Sequence, residues 1–252
     1  MNLKKEKTLR YKLLIEYDGT NFVGWQRQKS GLAVQEVIEQ ALKTALREEV
    51  TLFGSGRTDT GVHALGQVAH FETNQNLNLF KIRESLNALI RPHLISIHEV
   101  TKVSDDFHAR FSAIERSYTY QILNTPFPPA LLKNKAWWVR TPLDMDQMQK
   151  AADLLIGKHD FSTFRASECQ AKSPIKTINS IYFEKQDDII KMHISAKSFL
   201  HHQVRNIIGS LVLVGQKKWS INDFETAFKG KDRRLGGPTA PAEGLYFVSV
   251  QY

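Results

Sequence analysis

An alternation of strand-like and helix-like segments is the feature that most constrains how this chain can fold, and it occurs in both halves. Residues 10–17 are rich in aromatic and aliphatic side chains, as strands are. Residues 34–47 place apolar side chains on one face of a helix, and further strand and helix patterns follow to residue 103. Because the connections are short, the pattern predicts an α+β protein with helices on one face of a sheet.

The second half repeats this order of elements loosely. Its predicted elements, in chain order, are a strand at 116–123, a helix at 144–157, a hairpin at 178–197, a helix at 199–215, a short helix capped by Ser220 and Asp223, and a closing strand at 244–252. We therefore expect an N-terminal α/β half over residues 1–110 and a C-terminal α/β half over residues 111–252.

Composition narrows the choice of partner. Lysines and arginines number 34 against 26 aspartates and glutamates, which gives a formal net charge of +8. A basic balance favours an anionic partner, and nucleic acid is the commonest. Cys169 is the only cysteine, so an internal disulfide and a thiolate zinc cage are both excluded. The charged start does not resemble a signal peptide and the apolar runs are short, so we expect a cytoplasmic protein without a membrane span.

The segment GSGRTDTGVHALGQVAHF, residues 54–71, contains the triplet Asp59-Thr60-Gly61, which is typical of aspartic proteases. A protease of that class needs two carboxylates that share one proton. This chain has one such triplet, and a neighbouring Arg57 would favour the ionised form of the aspartate. The triplet is therefore not that of a protease.

Two other interpretations of Asp59 remain open on these residues. An aspartate near a glycine often forms a turn, with its side chain bonded to backbone N–H groups. Alternatively, Asp59 is an ionised, partly buried carboxylate that acts as a nucleophile or stabilises developing charge. If residues 57–59 are extended, Arg57 and Asp59 point to the same side, and the guanidinium would hold the carboxylate charged and oriented.

Several later residues are candidates for binding an RNA base, and each has a plainer alternative. Tyr118 and Tyr120 alternate along one strand, where they would either stack on bases or pack in the core. Arg205 lies in an apolar helix, either as a partner for a carboxylate or with its charge at the helix edge. Leu245 follows a turn-rich loop that either brings it beside a base or is only a connector.

The sequence contains no pattern that indicates a metal or a cofactor. His201 and His202 are adjacent rather than four residues apart, and the chain has neither a P-loop nor a G-x-G-x-x-G motif after a strand. We therefore expect any catalysis by this chain to proceed without a metal or cofactor.

Six segments together resemble the tRNA pseudouridine synthase A family, in order from near residue 10 to the C-terminus. They are YDGTNFVGWQRQ (17–28), GSGRTDTGVHALGQVAHF (54–71), FHARFSAIERSYTYQI (107–122), GKHDFSTFR (157–165), FLHHQVRNIIG (199–209) and GGPTAPAEGLYFVSVQY (236–252). The resemblance implies isomerisation of uridine to pseudouridine at nucleotides 38, 39 and 40 in the anticodon stem-loop of tRNA, by a homodimer without metal or cofactor. It also implies a continuous, mainly antiparallel sheet formed by two similar halves, with the active-site cleft between them.

The resemblance also carries roles onto single residues. Asp59 matches the catalytic aspartate, and Arg57 matches the arginine that pairs with it and assists base flipping. Tyr118 matches the aromatic residue that stacks on the target base, Arg205 a second basic partner of the carboxylate, and Leu245 an apolar wall of the pocket. On the residues alone, a non-catalytic RNA-binding module and a hydrolase that releases free uracil remain rival functions.

Overall fold

The computed structural model describes residues 8–252. Over these residues ten strands alternate with five α-helices, in the order β1 (Leu9–Tyr17), α1 (Val34–Leu46), β2 (Phe53–Gly54), β3 (His63–Thr73), α2 (Leu79–Leu89), β4 (Ile95–Val103), β5 (Glu115–Leu123), β6 (Trp137–Trp138), α3 (Met145–Asp153), β7 (Gly157–Asp160), β8 (Ile175–Gln186), β9 (Ile189–Ala196), α4 (Gln203–Gly215), α5 (Ile221–Lys229) and β10 (Leu245–Gln251). The predicted α+β class and the mainly antiparallel pairing are both confirmed. Among the described residues, no helix is long and apolar enough to cross a membrane.

The chain divides into two compact units. One comprises the residues up to Ile114 together with Phe247–Tyr252, and the other comprises Glu115–Tyr246. The functional division at residues 110 and 111, and the cleft between the halves, remain predictions.

The first unit is built on β1, whose side chains alternate between core and surface. Tyr11, Leu13, Ile15 and Tyr17 are each at most 2% exposed, because alternate residues of a strand point to the same face. Burial of an aliphatic side chain such as Leu13 stabilises the fold by about 1.5–3 kcal/mol. β1 pairs antiparallel with β3 on one side and with β4 on the other, so the buried strand fixes the position of both.

The second unit combines a four-stranded meander with three helices. β5, β9, β8 and β7 are antiparallel neighbours in that order, and β6 pairs parallel with β5. Eleven of the thirteen residues of α4 are buried, and α3 and α5 both contact it. α5 begins with the predicted capping box, in which Ser220 and Asp223 bond each other's backbone N–H groups.

Two helix ends differ from the predicted ones. α3 ends at Asp153 rather than 157, because the chain turns there and Gly157, with a φ of 100°, opens β7. α4 begins at Gln203 rather than 199, because His202 has a φ of 60°, in the left-handed region that an α-helix does not continue through. In both cases the apolar residues next to the helix continue its spacing in the sequence, although the helical hydrogen bonds stop before them.

His70, on β3, is a buried histidine that its surroundings keep neutral. The backbone N–H of Ala109 donates to its Nδ1 at 3.2 Å, and its ring lies 5.1 Å from that of Phe53 and 4.7 Å from that of His108 between centroids. Burial lowers the pKa of His70 to about 4, and the charges of His108 and Arg10 act in the same direction. An imidazolium needs a proton on Nδ1, so charging His70 breaks the bond from Ala109.

We expect the contribution of His70 to the free energy of unfolding to decrease as the pH falls from about 6.5 to about 4. Its folded-state pKa lies below the unfolded one, so the unfolded state binds the proton first and is favoured in this window. His70→Asn keeps an acceptor but removes the titration. The stability advantage of wild type over His70→Asn, measured by urea unfolding, should shrink by about 1–2 kcal/mol between about pH 7 and about pH 4. A constant difference over that range would contradict this assignment.

Candidate active site

Asp59 lies in the loop between β2 and β3, where the backbone forms a tight turn. The N–H of Val62 donates to the carbonyl of Asp59 at 3.1 Å, and Gly61 has a φ of 79°. Asp59 is half-buried, whereas Arg57 is exposed. The turn interpretation is therefore correct for the backbone, and the same turn leaves the carboxylate partly accessible. The pairing of Arg57 with Asp59 remains a prediction.

The segment before α1 holds this loop from a second side. The N–H of Trp25 donates to the carbonyl of Thr58 at 3.1 Å, and the N–H of Gly61 donates to the carbonyl of Phe22 at 3.3 Å. Gly24 has a φ of 107°, and a Cβ there would lie 2.4 Å from the Thr58 carbonyl oxygen. Sequence patterns assigned no role to Phe22, Gly24 or Trp25, although the motif YDGTNFVGWQRQ contains all three.

Tyr118 and Tyr120 share a face of β5 but differ in their surroundings. Tyr118 is half-buried, and its ring meets that of Phe199 edge-on at 5.2 Å between centroids. Tyr120 is fully buried and donates to the carbonyl of Pro241 at 2.7 Å, and burial raises its pKa. Tyr118 therefore stays a candidate for stacking on a base, whereas Tyr120 is a core residue.

Arg205, on α4, holds the chain segment that leads into β10, residues 236–244, which we call the strap. Its Nε donates to the carbonyl of Ala240 at 2.8 Å, and its own carbonyl accepts the N–H of Ala240 at 3.2 Å. Arg205 is half-buried, so its side chain does not simply extend from the helix edge into solvent. Leu245 follows the strap directly and is 6% exposed, which fits an apolar wall.

A basic α+β protein in which a hydrogen-bonded, glycine-rich loop presents a half-buried carboxylate has the construction of an enzyme that acts on an anionic substrate. A family model described as tRNA pseudouridine synthase matches residues 13–112 and 151–252. The chain belongs to the tRNA pseudouridine synthase family. Asp59 and Arg57 lie in the first matched range, Arg205 and Leu245 lie in the second, and Tyr118 lies between them.

Relatives named tRNA pseudouridine synthase A match almost the whole chain. The one from Rhodospirillum rubrum is 46% identical over 244 residues, which cover 97% of this chain and 88% of the relative. The one from Paramagnetospirillum magneticum is 49% identical over 243 residues, which cover 96% and 95%. The protein is therefore an isomerase that converts uridine in tRNA to pseudouridine.

Among solved structures, a chain from the "Crystal Structure of a Cbf5-Nop10-Gar1 Complex" aligns with a TM-score of 0.35 and 12% identity, covering 80% of this chain and 45% of that chain. A likeness at this level carries no argument about the site. The roles of Asp59, Arg57, Tyr118, Arg205 and Leu245 remain predictions.

Substitution of two glycines of α4 tests how closely the strap must approach this helix. A Cβ at Gly209 would lie 1.8 Å from the carbonyl oxygen of Pro238, whereas one at Gly215 would lie 2.5 Å from the sulfur of the flexible Met148. We expect Gly209→Ala to lower the free energy of unfolding by about 1–3 kcal/mol and to lower activity by displacing the strap. Gly215→Ala should affect both less, and equal losses in thermal unfolding and turnover would contradict the role of the strap.

Proposed function

We propose that this enzyme forms pseudouridine at nucleotides 38, 39 and 40 of the anticodon stem-loop of tRNA, with Asp59 as the catalytic carboxylate. The observation that carries the proposal is a half-buried Asp59 on a loop whose backbone is bonded on two sides, inside the matched range 13–112. A fixed carboxylate is what a reaction at one sugar carbon requires, because catalysis depends on holding the reacting groups in alignment.

The chemistry of the reaction defines what the protein must supply. The N1–C1′ bond of uridine breaks, the uracil turns, a C5–C1′ bond forms, and the proton on C5 moves to N1 or to solvent while N1 regains one. Reactant and product have the same atoms and the same oxidation state, so the overall change needs no redox or group-transfer cofactor. An ionised Asp59 can assist departure of the uracil by attack on C1′, by addition to the uracil ring or by taking a sugar proton.

The remaining site residues bind the target base. The uridine must leave the helical stack before it can react, which requires an aromatic surface and positive charge. The exposed Arg57 is suited to fill the vacated position in the RNA and to pair with Asp59. The half-exposed ring of Tyr118 stacks on the uracil, and its hydroxyl serves the later proton transfer. Arg205 is a second basic group of the site, and the buried Leu245 is an apolar wall for the base.

The partner is tRNA, and the working form is a cytoplasmic homodimer. A formal charge of +8 on one chain favours RNA binding, and a second copy would double the basic surface offered to a whole tRNA. The rival RNA-binding module needs both strand tyrosines on the surface, but Tyr120 is fully buried. A hydrolase would share the carboxylate and differ in its product, free uracil.

We expect Asp59→Asn to abolish turnover and to leave tRNA binding largely unchanged. The measurement uses a tRNA transcript with tritium at C5 of its uridines, with EDTA present, and follows tritium release and free uracil. Tritium release should fall by about 10³-fold or more, as expected for the loss of a group that acts on the reacting atoms. Asp105→Asn, at an exposed carboxylate of the same unit, is the matched control. Near-normal release by Asp59→Asn would remove Asp59 from the mechanism.

The Tyr118→Phe variant separates stacking from proton transfer. The ring is kept, so RNA binding and base stacking should persist, whereas the step after glycosidic-bond cleavage should slow by about 10²-fold. Single-turnover kinetics with saturating enzyme measures that step directly. Tyr182→Phe removes a hydroxyl from a half-exposed tyrosine in the same unit and should match wild type. If Tyr118→Phe is as fast as that control, the Tyr118 hydroxyl has no catalytic role.

A further inference from the structure

We propose that Tyr17 and Gln67 are positioning residues that set the orientation of Asp59 through buried hydrogen bonds to its loop. The inference rests on the proposed catalytic role of Asp59. Neither side chain needs to touch the substrate, since both are at most 2% exposed. They act on residues 55–58, which lead directly to the aspartate.

Tyr17 is hydrogen-bonded to the loop through Thr58. The hydroxyl oxygens of Tyr17 and Thr58 are 2.7 Å apart, although 41 residues separate them in sequence. Thr58 is buried, whereas its neighbours Arg57 and Asp59 are exposed and half-buried. Anchoring the Thr58 side chain inward therefore leaves the two charged neighbours directed away from the core.

Gln67, on β3, ties down the other end of the loop, and its amide has only one possible orientation. Its Nε2 donates to the carbonyl of Gly56 at 3.1 Å, and its Oε1 accepts the hydroxyl of Ser55 at 2.7 Å. A carbonyl can only accept, so the NH₂ group must face Gly56. Gln67 therefore holds both residue 55 and residue 56 of the loop.

Tyr17 holds the end of the loop nearest Asp59 through Thr58, so buried side chains bond residues 55, 56 and 58. Burial raises the pKa of Tyr17, and its hydroxyl stays protonated at neutral pH.

The loop keeps its backbone bonds when the bond to Tyr17 is lost. The N–H of Trp25 still donates to the carbonyl of Thr58, the N–H of Ser55 still donates to Val68 at 2.7 Å, and the N–H of Val62 still donates to Asp59. Removing the Tyr17 hydroxyl should therefore loosen the orientation of the carboxylate without unfolding the loop. A displacement of about 1 Å in a reacting group can cost on the order of 10²-fold in rate.

The test compares Tyr17→Phe with Tyr11→Phe. Tyr11 is a fully buried tyrosine of the same strand, whose hydroxyl donates to the carbonyl of Gln75 at 3.2 Å and accepts the N–H of Leu77 at 3.0 Å. We expect Tyr17→Phe to lower kcat by about 10- to 100-fold, while KM and the dissociation constant for tRNA remain unchanged. Tyr11→Phe should lose similar thermal stability and keep wild-type kcat. Equal kcat values in the two variants would overturn the proposal.

Two further comparisons address Thr58 and Gln67. Thr58→Ser keeps the hydroxyl and should retain kcat within about threefold, whereas the isosteric Thr58→Val should lose as much as Tyr17→Phe. Gln67→Leu should lower kcat similarly, and the double variant Tyr17→Phe, Gln67→Leu should be little worse than either single one, because both residues act through the position of the same loop. Equal activity of Thr58→Ser and Thr58→Val, or additive losses in the double variant, would contradict it.

Failure of this inference is distinguishable from failure of the proposed function. Full activity in Tyr17→Phe together with an inactive Asp59→Asn would leave the catalytic carboxylate in place and remove only the positioning role of Tyr17 and Gln67. Full activity in Asp59→Asn would remove the catalytic role, and with it the reason for the inference.

Discussion

The close backbone approach between the segment before α1 and the loop that carries Asp59 is the constraint on which the first unit's functional geometry depends. A Cβ at Gly19 would lie 2.0 Å from the carbonyl oxygen of Val62, and one at Gly24 would lie 2.4 Å from that of Thr58. At these distances no side chain fits. Glycine therefore permits the backbone-to-backbone hydrogen bonds that hold this irregular loop in place.

In the second unit a glycine likewise permits a close backbone approach, here between the strap and helix α4. Gly209 allows the carbonyl of Pro238 to reach α4, and the Gly237 N–H donates to Ser210 at 2.9 Å. Arg205 then bonds the strap through Ala240. Both units thus hold irregular backbone in place with hydrogen bonds to its main-chain atoms, which is how a loop can present functional groups in a fixed position.

Much of the fold could be predicted from the sequence, because its determinants are local. The strand at residues 10–17 and the Ser220–Asp223 pair each depend on residues close in the chain, and both predictions are confirmed. The ends of α3 and α4 were wrong, because apolar periodicity continues past the last helical hydrogen bond. Spacing along β5 also placed both tyrosines on one face, but it could not tell the half-exposed Tyr118 from the core Tyr120.

The candidate site could be predicted only in part. Asp59 stands out because its glycine-rich surroundings are contiguous in sequence, so a short motif identifies it. The groups that hold it do not stand out, since Tyr17 reads as an ordinary core residue of a strand and Gln67 as a polar residue of another. Tyr17 lies 41 positions from Thr58 and Gln67 lies 12 positions from Ser55, and no periodic pattern encodes such contacts. The family motifs contain Tyr17 and Gln67, but a motif does not show what either residue does.

The chemistry of the anchoring groups explains why they suit a catalytic carboxylate. Ser55, Gln67, Tyr17 and Thr58 carry no formal charge, and the raised pKa of Tyr17 keeps it neutral. A charged anchor, such as a buried lysine, would hold the loop equally well but would change the field at the carboxylate and have to be desolvated. In the proposed mechanism, neutral donors and acceptors hold the loop that carries Asp59, whereas the contacts of the carboxylate itself are left to the arginines and the RNA. The loop would then be held without a further charge beside the proposed reacting group.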